Sequence, residues 1–209
     1  RGRITAEQVR EGINHTEDVH KAFTSLVCLE NTSNRGGGSC YELENIKEIR
    51  NVCEEHNLKL HLDGARLFNA LVAKKQSAKD FGTIFHTISI CLSKSLGCPV
   101  GSVLLGDKTF IKKARRIRKV LGGGMRQAGF LAAAGIYALE NNIERLQIDH
   151  DHAQQIAAAL QGKKFVSYLL PVETNIIIFG VQPPYTTTGL VEKFKQEGIL
   201  MFPFSPTSI

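Results

Sequence analysis

The chain has 209 residues, of which 43% are hydrophobic and 22% charged, so it is long and apolar enough to bury a substantial core. No apolar run approaches the roughly 20 residues of a membrane helix, and Arg1-Gly2-Arg3 does not begin a secretory signal. The five cysteines are odd in number and form no Cys-x-x-Cys pair, and Cys28 and Cys91 lie in strand-like runs where a thiol usually acts as a small core residue. The sequence therefore predicts a cytoplasmic or organellar protein with reduced thiols and no membrane partner.

Strand and helix patterns alternate in the first part of the chain. Residues 25–29 form an apolar run that is typical of a buried strand. A loop with three consecutive glycines follows over 31–40, and apolar residues then recur at helical spacing over 43–53. Leucines alternate with polar residues over 58–62, which predicts a second strand that ends at Asp63.

The middle of the chain continues this alternation. Further strands are predicted over 84–92 and 100–105, and a basic helix is predicted over 107–121. Gly122-Gly123-Gly124 interrupts the pattern, and an alanine-rich helix is expected from about 125 through 140 and beyond. Strands that alternate with helices predict an α/β fold, in which a parallel sheet carries helices on both faces.

The character of the sequence shifts after Leu146. The elements predicted beyond it are a polar helix over 147–161, a strand over 175–179, a helix over 189–197 and a strand over 199–204. This mixture is typical of the start of a smaller α+β domain that closes over a site. We therefore expect two units, residues 1–146 and residues 147–209.

Asp63 and Lys94 are the most informative residues of the chain. Each follows a predicted strand, and Lys94 comes 31 residues after Asp63, between Ser93 and Ser95. Ligands of parallel sheets bind at the carboxyl ends of the strands, where both residues fall. A lysine amine can form an imine with the aldehyde of pyridoxal phosphate (PLP), and a carboxylate can keep the pyridine nitrogen protonated. Taken singly, a surface lysine and a helix-capping aspartate are the simpler interpretation.

Three longer motifs strengthen the interpretation as a PLP site. They are HLDGARLFNA at 61–70, CLSKSLGCPVGS at 91–102 and LGGGMRQAG at 121–129, and Glu30-Asn31-Thr32-Ser33-Asn34 and Thr174-Asn175 also fit. Together they resemble the threonine aldolases, PLP enzymes of the aspartate-aminotransferase fold type (fold type I), over nearly the whole chain. Three long motifs in register are far more specific than one. The resemblance implies a PLP-dependent transferase-like fold, with a three-layer αβα large domain and the start of a small C-terminal domain.

The resemblance also implies roles for individual residues. Lys94 matches the lysine that forms the imine with the cofactor, Asp63 the acid on the pyridine nitrogen, and Arg66 the arginine near the ring oxygen and phosphate. His20 aligns with a histidine that helps bind the substrate hydroxyl, although a lone histidine at a strand entrance is more often structural. Many family members have a histidine where this chain has Ser33, so no role is assigned to that position.

A basic segment accounts for the uneven distribution of the net charge of +6. No acidic residue occurs over 108–139, while seven basic residues crowd its first twelve positions. A solvated helix face, a nucleic-acid patch and a contact with an anionic cofactor all explain such a cluster. Phe110 is the only ring nearby, which argues against a nucleic-acid partner. The resemblance implies that Lys119 and Arg126 reach the PLP phosphate of a neighbouring subunit, whereas the other basic residues are expected to be solvated.

The activity that the resemblance implies is PLP-dependent aldol cleavage of L-threonine or L-allo-threonine to glycine and an aldehyde, as in threonine catabolism and glycine biosynthesis. An aminotransferase or β-eliminating lyase of the same fold is one alternative, and a catalytically inactive fragment or subunit is another. The segment from Gly122 to Gln127 favours the aldolases. His150 and His152 are expected on an exposed acidic helix without metal-ligand spacing, so no catalytic metal is expected.

The resemblance further implies that this chain lacks parts of the site. In the threonine aldolases, the loop that grips the phosphate and the ring that stacks on the pyridine come from a segment upstream of Arg1. The arginine that binds the substrate carboxylate comes just beyond Ile209. We therefore expect either a fragment or a site completed by another chain, and a homo-oligomer, more specifically a dimer of dimers.

Overall fold

The computed structural model describes residues 2–14 and 17–209. Its elements in chain order are α1 (Ala6–Glu11), β1 (Leu26–Glu30), α2 (Leu43–Glu55), β2 (Lys59–Gly64), α3 (Leu67–Lys74), α4 (Ala78–Ile84), β3 (Thr87–Cys91), β4 (Ser102–Leu105), α5 (Lys108–Val120), α6 (Gly129–Asn141), α7 (Leu146–Leu160), β5 (Val166–Leu169), β6 (Phe179–Val181) and α8 (Thr187–Gln196). Among these helices, none has both the length and the apolar character needed to cross a membrane. The chain is an α/β protein, as predicted.

The main sheet has the strand order β1-β2-β3-β4. β1 pairs in parallel with β2, and β2 pairs in parallel with β3, so the carboxyl ends of these three strands meet at one edge of the sheet. Ser102–Leu105 pairs antiparallel with β3 and forms the last strand of the sheet. The prediction of a wholly parallel sheet is therefore wrong for β4.

One face of this sheet is buried against helices. Leu60 and Leu62 of β2 are fully buried, and they share a core cluster with Ile46 and Ile49, which lie on one side of α2. Burying a leucine or isoleucine side chain stabilises the fold by roughly 1.5–3 kcal/mol. The residues that gave the alternation over 58–62 and the helical spacing over 43–53 are thus the ones that pack together and position β2.

The opposite face of the sheet is open at its first strand. Leu26 retains 51% of its exposed surface, and Cys28 on the same face is also exposed. The prediction that Cys28 acts as a core residue is therefore wrong. Asp63 lies on this same face, because Cys28 and Asp63 each alternate with buried residues along paired strands.

Several predicted boundaries differ from the structure. The strand predicted over 84–92 begins only at Thr87, because Ile84 ends α4, a helix that is capped by Ser77. The alanine-rich helix begins at Gly129 rather than 125, since Gln127 adopts a left-handed backbone (φ 49°) that helical residues do not use.

The second sheet pairs β5 with β6 in the antiparallel sense. The strand predicted over 175–179 begins only at Phe179, and its partner β5 was not predicted. The strand predicted over 199–204 does not form, and most of its side chains are exposed. α8 agrees with the helix predicted over 189–197.

Candidate active site

The candidate site lies where the three parallel strands end. β1 ends at Glu30, and the following Asn31 N–H donates to the Asp63 carbonyl oxygen (3.0 Å), so the ladder continues one residue beyond the strand. On its other side Asp63 is in register with Ser89 of β3. Neighbouring strands lie about 4.8 Å apart. The backbone of Asp63 is therefore held between two strands.

The side chain of Asp63 is fixed by a local hydrogen bond. Its Oδ1 accepts the Ala65 N–H (3.0 Å), and the chain then turns into α3, for which Arg66 is the N-cap. A Cβ at Gly64 would lie 2.7 Å from the Ser89 carbonyl oxygen, so only glycine allows β2 to pass β3 this closely. Burial raises the pKa of the neighbouring Cys28 thiol, and the charge of the half-buried Asp63 carboxylate raises that pKa further. The structure confirms the predicted strand end at Asp63.

Lys94 lies in a tight loop that follows β3. The Gly97 N–H donates to the Lys94 carbonyl oxygen (2.8 Å), and the Cys98 N–H donates to that of Leu92 (3.1 Å). Gly97 has φ 79°, a left-handed conformation that glycine adopts without strain. The Lys94 side chain is exposed, so its amine is available to a ligand.

Two asparagines brace this loop from outside. The Asn175 side-chain amide donates to Ser95 Oγ (3.2 Å), and that of Asn142 donates to the Leu96 carbonyl oxygen (2.8 Å). The sequence did not indicate these contacts, although Thr174-Asn175 belongs to the quoted motifs. These two hydrogen bonds fix Ser95 and Leu96, the residues directly after Lys94, and so hold the loop in place.

The charges of Arg66 and Lys94 act on one common group, the Cys91 thiol at the end of β3. Burial acts to raise the pKa of this thiol, but hydrogen bonds to Ser93 and then the positive charges of Lys94 and Arg66 lower the pKa below its usual value. Asp63 lies two residues before Ala65 in the turn that carries Arg66. The turn after β2 and the loop after β3 are therefore neighbours in space.

A small cavity of about 10 Å³ separates the two segments. Its lining comes from both, and consists of residues 64–69, Cys91, Ser95 and Leu96. Arg66 also borders a larger cleft of about 400 Å³, which it shares with Asn34, Asn175 and apolar side chains of the C-terminal part of the chain. Arg66 therefore borders open volume in which an anionic group could bind.

His20 lies apart from this arrangement. It is exposed in a turn that precedes the amino end of β1, and its N–H donates to Asp18 Oδ1 (3.0 Å). Within the described residues, His20 forms no hydrogen bond or ion pair with Asp63 or Lys94. Its predicted role in binding the substrate hydroxyl stays a prediction.

Lys119 and Arg126 are also separate from the strand ends. Both are exposed, Lys119 in the last turn of α5 and Arg126 in the segment before α6. The aliphatic part of the Lys119 side chain packs over the backbone of Gly124. A Cβ added at Gly124 would lie 2.4 Å from Lys119 Cδ. Within the described parts of the chain, neither residue forms a hydrogen bond or ion pair with Asp63, Arg66 or Lys94. Their predicted contact with a neighbouring subunit stays a prediction.

The donor set at the strand ends fits PLP. An exposed amine, a fixed carboxylate and a guanidinium match the aldehyde, the pyridine nitrogen and the anionic substituents of that cofactor. Around the same strand ends, Asn31 Nδ2, Thr32 Oγ1 and Asn175 Oδ1 are buried without a hydrogen-bond partner among residues 2–14 and 17–209. In the same described ranges, no group of three or more histidines, cysteines and carboxylates could hold a metal ion.

Comparison with known proteins shows the family of this chain. The family model described as beta-eliminating lyase matches residues 1–183. Low-specificity L-threonine aldolase 1 of Arabidopsis thaliana is 41% identical over 181 residues, which are 85% of this chain and 51% of that protein. The low specificity L-threonine aldolase of Escherichia coli K12 is 52% identical over 145 residues, 69% of this chain and 43% of that protein.

A solved structure shows the same fold. The threonine aldolase of Leishmania major superposes with a TM-score of 0.78 at 18% identity, covering 100% of this chain and 61% of that one. The chain spans about half the length of the curated relatives it matches. The resemblance to threonine aldolases is confirmed, and the chain belongs to the beta-eliminating lyase family.

Proposed function

We propose that this protein is a PLP-dependent aldolase that cleaves L-threonine or L-allo-threonine to glycine and acetaldehyde. The observation that carries the proposal is the arrangement of three residues near the carboxyl ends of adjacent parallel strands: Asp63 lies in the last part of β2, Arg66 in the turn after β2, and Lys94 in the loop after β3. Its sequence similarity to low-specificity L-threonine aldolases supports the substrate class, a β-hydroxy-α-amino acid.

Three residues would hold the cofactor. Lys94 would bind its aldehyde carbon, Asp63 its pyridine nitrogen, and Arg66 its ring oxygen or phosphate. Bound in this way, PLP supplies an electron sink for the electron pair that is released at Cα of the substrate. The hydrogen bond from the Ala65 N–H orients the Asp63 carboxylate, which would pair with the protonated pyridine nitrogen.

The reaction itself needs no oxidant or reductant. The β-hydroxyl gives up its proton, the Cα–Cβ bond breaks with its electron pair moving toward Cα, and the aldehyde leaves. A proton then returns to Cα to give glycine. The chain's residues orient the substrate and hold charge, which lowers the barrier through proximity and electrostatic stabilisation. His20 lies before β1 and is not part of this proposal.

The experiment uses the full-length protein loaded with PLP and supplied with L-allo-threonine. We expect acetaldehyde and glycine to form in equal amounts, and no glutamate to form when 2-oxoglutarate is added. Lys94→Ala should abolish the cleavage, whereas Lys163→Ala, a substitution in an exposed loop, should leave it unchanged. Glutamate formation would instead identify an aminotransferase, and pyruvate formation from L-serine would identify a β-eliminating lyase.

We propose further that the protein is a homodimer that pairs into a dimer of dimers. Large apolar side chains on and between α5 and α6 are exposed, among them Ile117, Val120, Leu121 and Phe130, the last at 90%. A cluster of exposed apolar side chains in one region is typical of a protein–protein interface. Lys119 and Arg126 lie in the same part of the chain, so they would meet the site of the neighbouring subunit.

The proposed location is the cytoplasm, where the reaction would consume threonine and supply glycine. All five cysteines are free thiols, which is the usual state in a reducing compartment. Fractionation of cells that express the full-length protein tests this proposal, and recovery with a sealed organelle would contradict it.

A further inference from the structure

A buried histidine lies next to the candidate site without being part of it. The buried residues of α7 follow one stripe, Leu146, His150, Ala153, Ala157 and Leu160. His150 retains only 5% of its exposed surface, although the sequence predicted an exposed helix. An imidazole in such a stripe costs free energy unless it is hydrogen-bonded, so its presence calls for an explanation.

In the described ranges, His150 has one hydrogen-bond partner, and that partner lies on α3. The side-chain amide of Asn69, which is also buried, lies 3.2 Å from His150 Nε2. The other ring nitrogen, Nδ1, is buried and has no hydrogen-bond partner among the same residues. Phe68 and Val72 of α3 pack in the same apolar cluster as Leu146 of α7. The polar pair therefore adds a specific hydrogen bond to an apolar contact between α3 and α7.

Asn69 connects this link to the site. Its N–H donates to the Arg66 carbonyl oxygen (3.0 Å) in the first turn of α3, directly after the turn that fixes Asp63. Asn69 also lines the cavity of about 10 Å³ between that turn and the Lys94 loop. A shift of α3 along α7 would move Arg66 and Asp63 relative to Lys94.

We infer that His150 and Asn69 are positioning residues that hold Asp63 and Arg66 in place beside Lys94 only while His150 is neutral. A neutral ring has one N–H donor and one acceptor nitrogen, and the side-chain amide of Asn69 can pair with Nε2 in either tautomer. With its proton on Nε2 the ring leaves only an uncharged acceptor unpaired at Nδ1, whereas protonation would place a charged N–H there, buried without an acceptor. This inference rests on the proposed function, since it concerns the residues that would bind PLP.

The surroundings of the ring favour its neutral form. Burial lowers the pKa of His150 below its usual value, and the charges of Asp149 and Asp151 on the same helix offset part of that effect. The charged residues of α3 are Arg66 and Lys74, at its two ends, and β5, which also packs on α7, carries only Tyr168 as a titratable group. In the described ranges, no carboxylate forms a hydrogen bond or ion pair with the ring as a partner for its cation.

The sign of the pH dependence follows from this shift. The unfolded chain binds a proton at His150 near its ordinary pKa of about 6.5, whereas the folded chain binds it only at lower pH. The contribution of the neutral ring is therefore complete above about pH 6.5 and is lost as the pH falls toward the lowered pKa. Binding of PLP to the folded protein should weaken only as the pH falls through the lowered pKa itself, because the folded ring becomes protonated there and α3 then loses its link to α7.

The test compares three full-length proteins by PLP titration between about pH 5 and 8. His150→Gln keeps a hydrogen-bonding group for Asn69 but cannot titrate, and His152→Gln changes an exposed histidine two residues away on the same helix. We divide the PLP dissociation constant of the wild type by that of His150→Gln at each pH. This ratio should rise about tenfold as the pH falls. The same ratio against His152→Gln should stay constant. A ratio that does not change with pH for His150→Gln would overturn the inference.

Two further measurements separate this inference from the proposed function. Amide hydrogen exchange of the protein without PLP should quicken over Leu67–Lys74 at acid pH in the wild type but not in His150→Gln. If the wild type bound no PLP, the proposed function would fail, and hydrogen exchange alone would decide the inference. If His150→Gln did not fold, an NMR titration of the wild-type ring would decide it, and a pKa at or above 6.5 would refute it.

Discussion

Asp63 carries the negative charge on which the proposed chemistry depends. Its Oδ1 accepts the Ala65 N–H, and its backbone is held between β1 and β3, so its position is set by the sheet rather than by a flexible loop. An asparagine side chain has the same size and keeps an acceptor for the Ala65 N–H. A substitution to asparagine therefore removes the charge and little else.

Asp63→Asn should retain PLP and lose turnover. Without the carboxylate the pyridine nitrogen is not held protonated, and each tenfold loss corresponds to about 1.4 kcal/mol of lost transition-state stabilisation. We expect kcat for L-allo-threonine to fall by roughly 100-fold or more, with the PLP dissociation constant changed far less. Steady-state kinetics check this, with Asp80→Asn in the exposed first turn of α4 as the control. Unchanged turnover in Asp63→Asn would mean that Asp63 is only a turn-forming residue.

At the scale of elements, the close approach of β2 and β3 brings the two active segments together. Gly64 permits that approach, since a Cβ there would meet the Ser89 carbonyl oxygen at 2.7 Å. Gly82 in the exposed part of α4 has open space around it, so the same substitution meets nothing there. The two glycines form a matched pair.

Gly64→Ala should destabilise the fold by about 1–3 kcal/mol through overpacking and should weaken PLP binding, because the strands must separate. Gly82→Ala should leave PLP binding unchanged and raise the free energy of unfolding by about 0.5–1 kcal/mol, since alanine suits a helix interior better than glycine. Urea unfolding of the full-length variants, together with PLP titration, measures both effects. Equal effects of the two substitutions would contradict the packing described for Gly64.

The elements that the sequence predicted well are those with a clear periodic pattern. α2 and β2 formed as expected because the apolar residues of each face one partner. Where a short apolar run fits both helix and strand, as at Ile84, the cap at Ser77 decides, and it has little sequence signal. The run over 199–204 is apolar enough for a strand, but it contains Pro203 and pairs with no strand in the described part of the chain.

The site residues divide in a similar way. Asp63, Arg66 and Lys94 were predictable, because they follow strands and belong to long motifs. The braces at Asn142 and Asn175 and the pair of His150 with Asn69 were not, since each joins residues far apart in the sequence. Such contacts depend on tertiary packing, which no local pattern encodes. His20 was matched by alignment alone, and the structure places it before β1.

At the scale of the whole molecule, the proposal that two subunits share each site can be tested by mixing variants. Lys94→Ala and Arg126→Ala should each be nearly inactive, and a hybrid dimer should contain one site with both residues intact. Random exchange of subunits in equal amounts should restore about a quarter of the wild-type activity, because half of the dimers are hybrids. Activity assays before and after exchange measure this. No recovery after demonstrated exchange would refute a shared site.

The central claim is that Lys94 is the residue that holds the cofactor. Borohydride reduction of the full-length protein loaded with PLP fixes the cofactor covalently to the lysine that binds its aldehyde, and peptide mass mapping then identifies that lysine. Our account predicts the modification on Lys94, in the loop directly after β3. Modification of another lysine instead, such as Lys74 or Lys119, would contradict it.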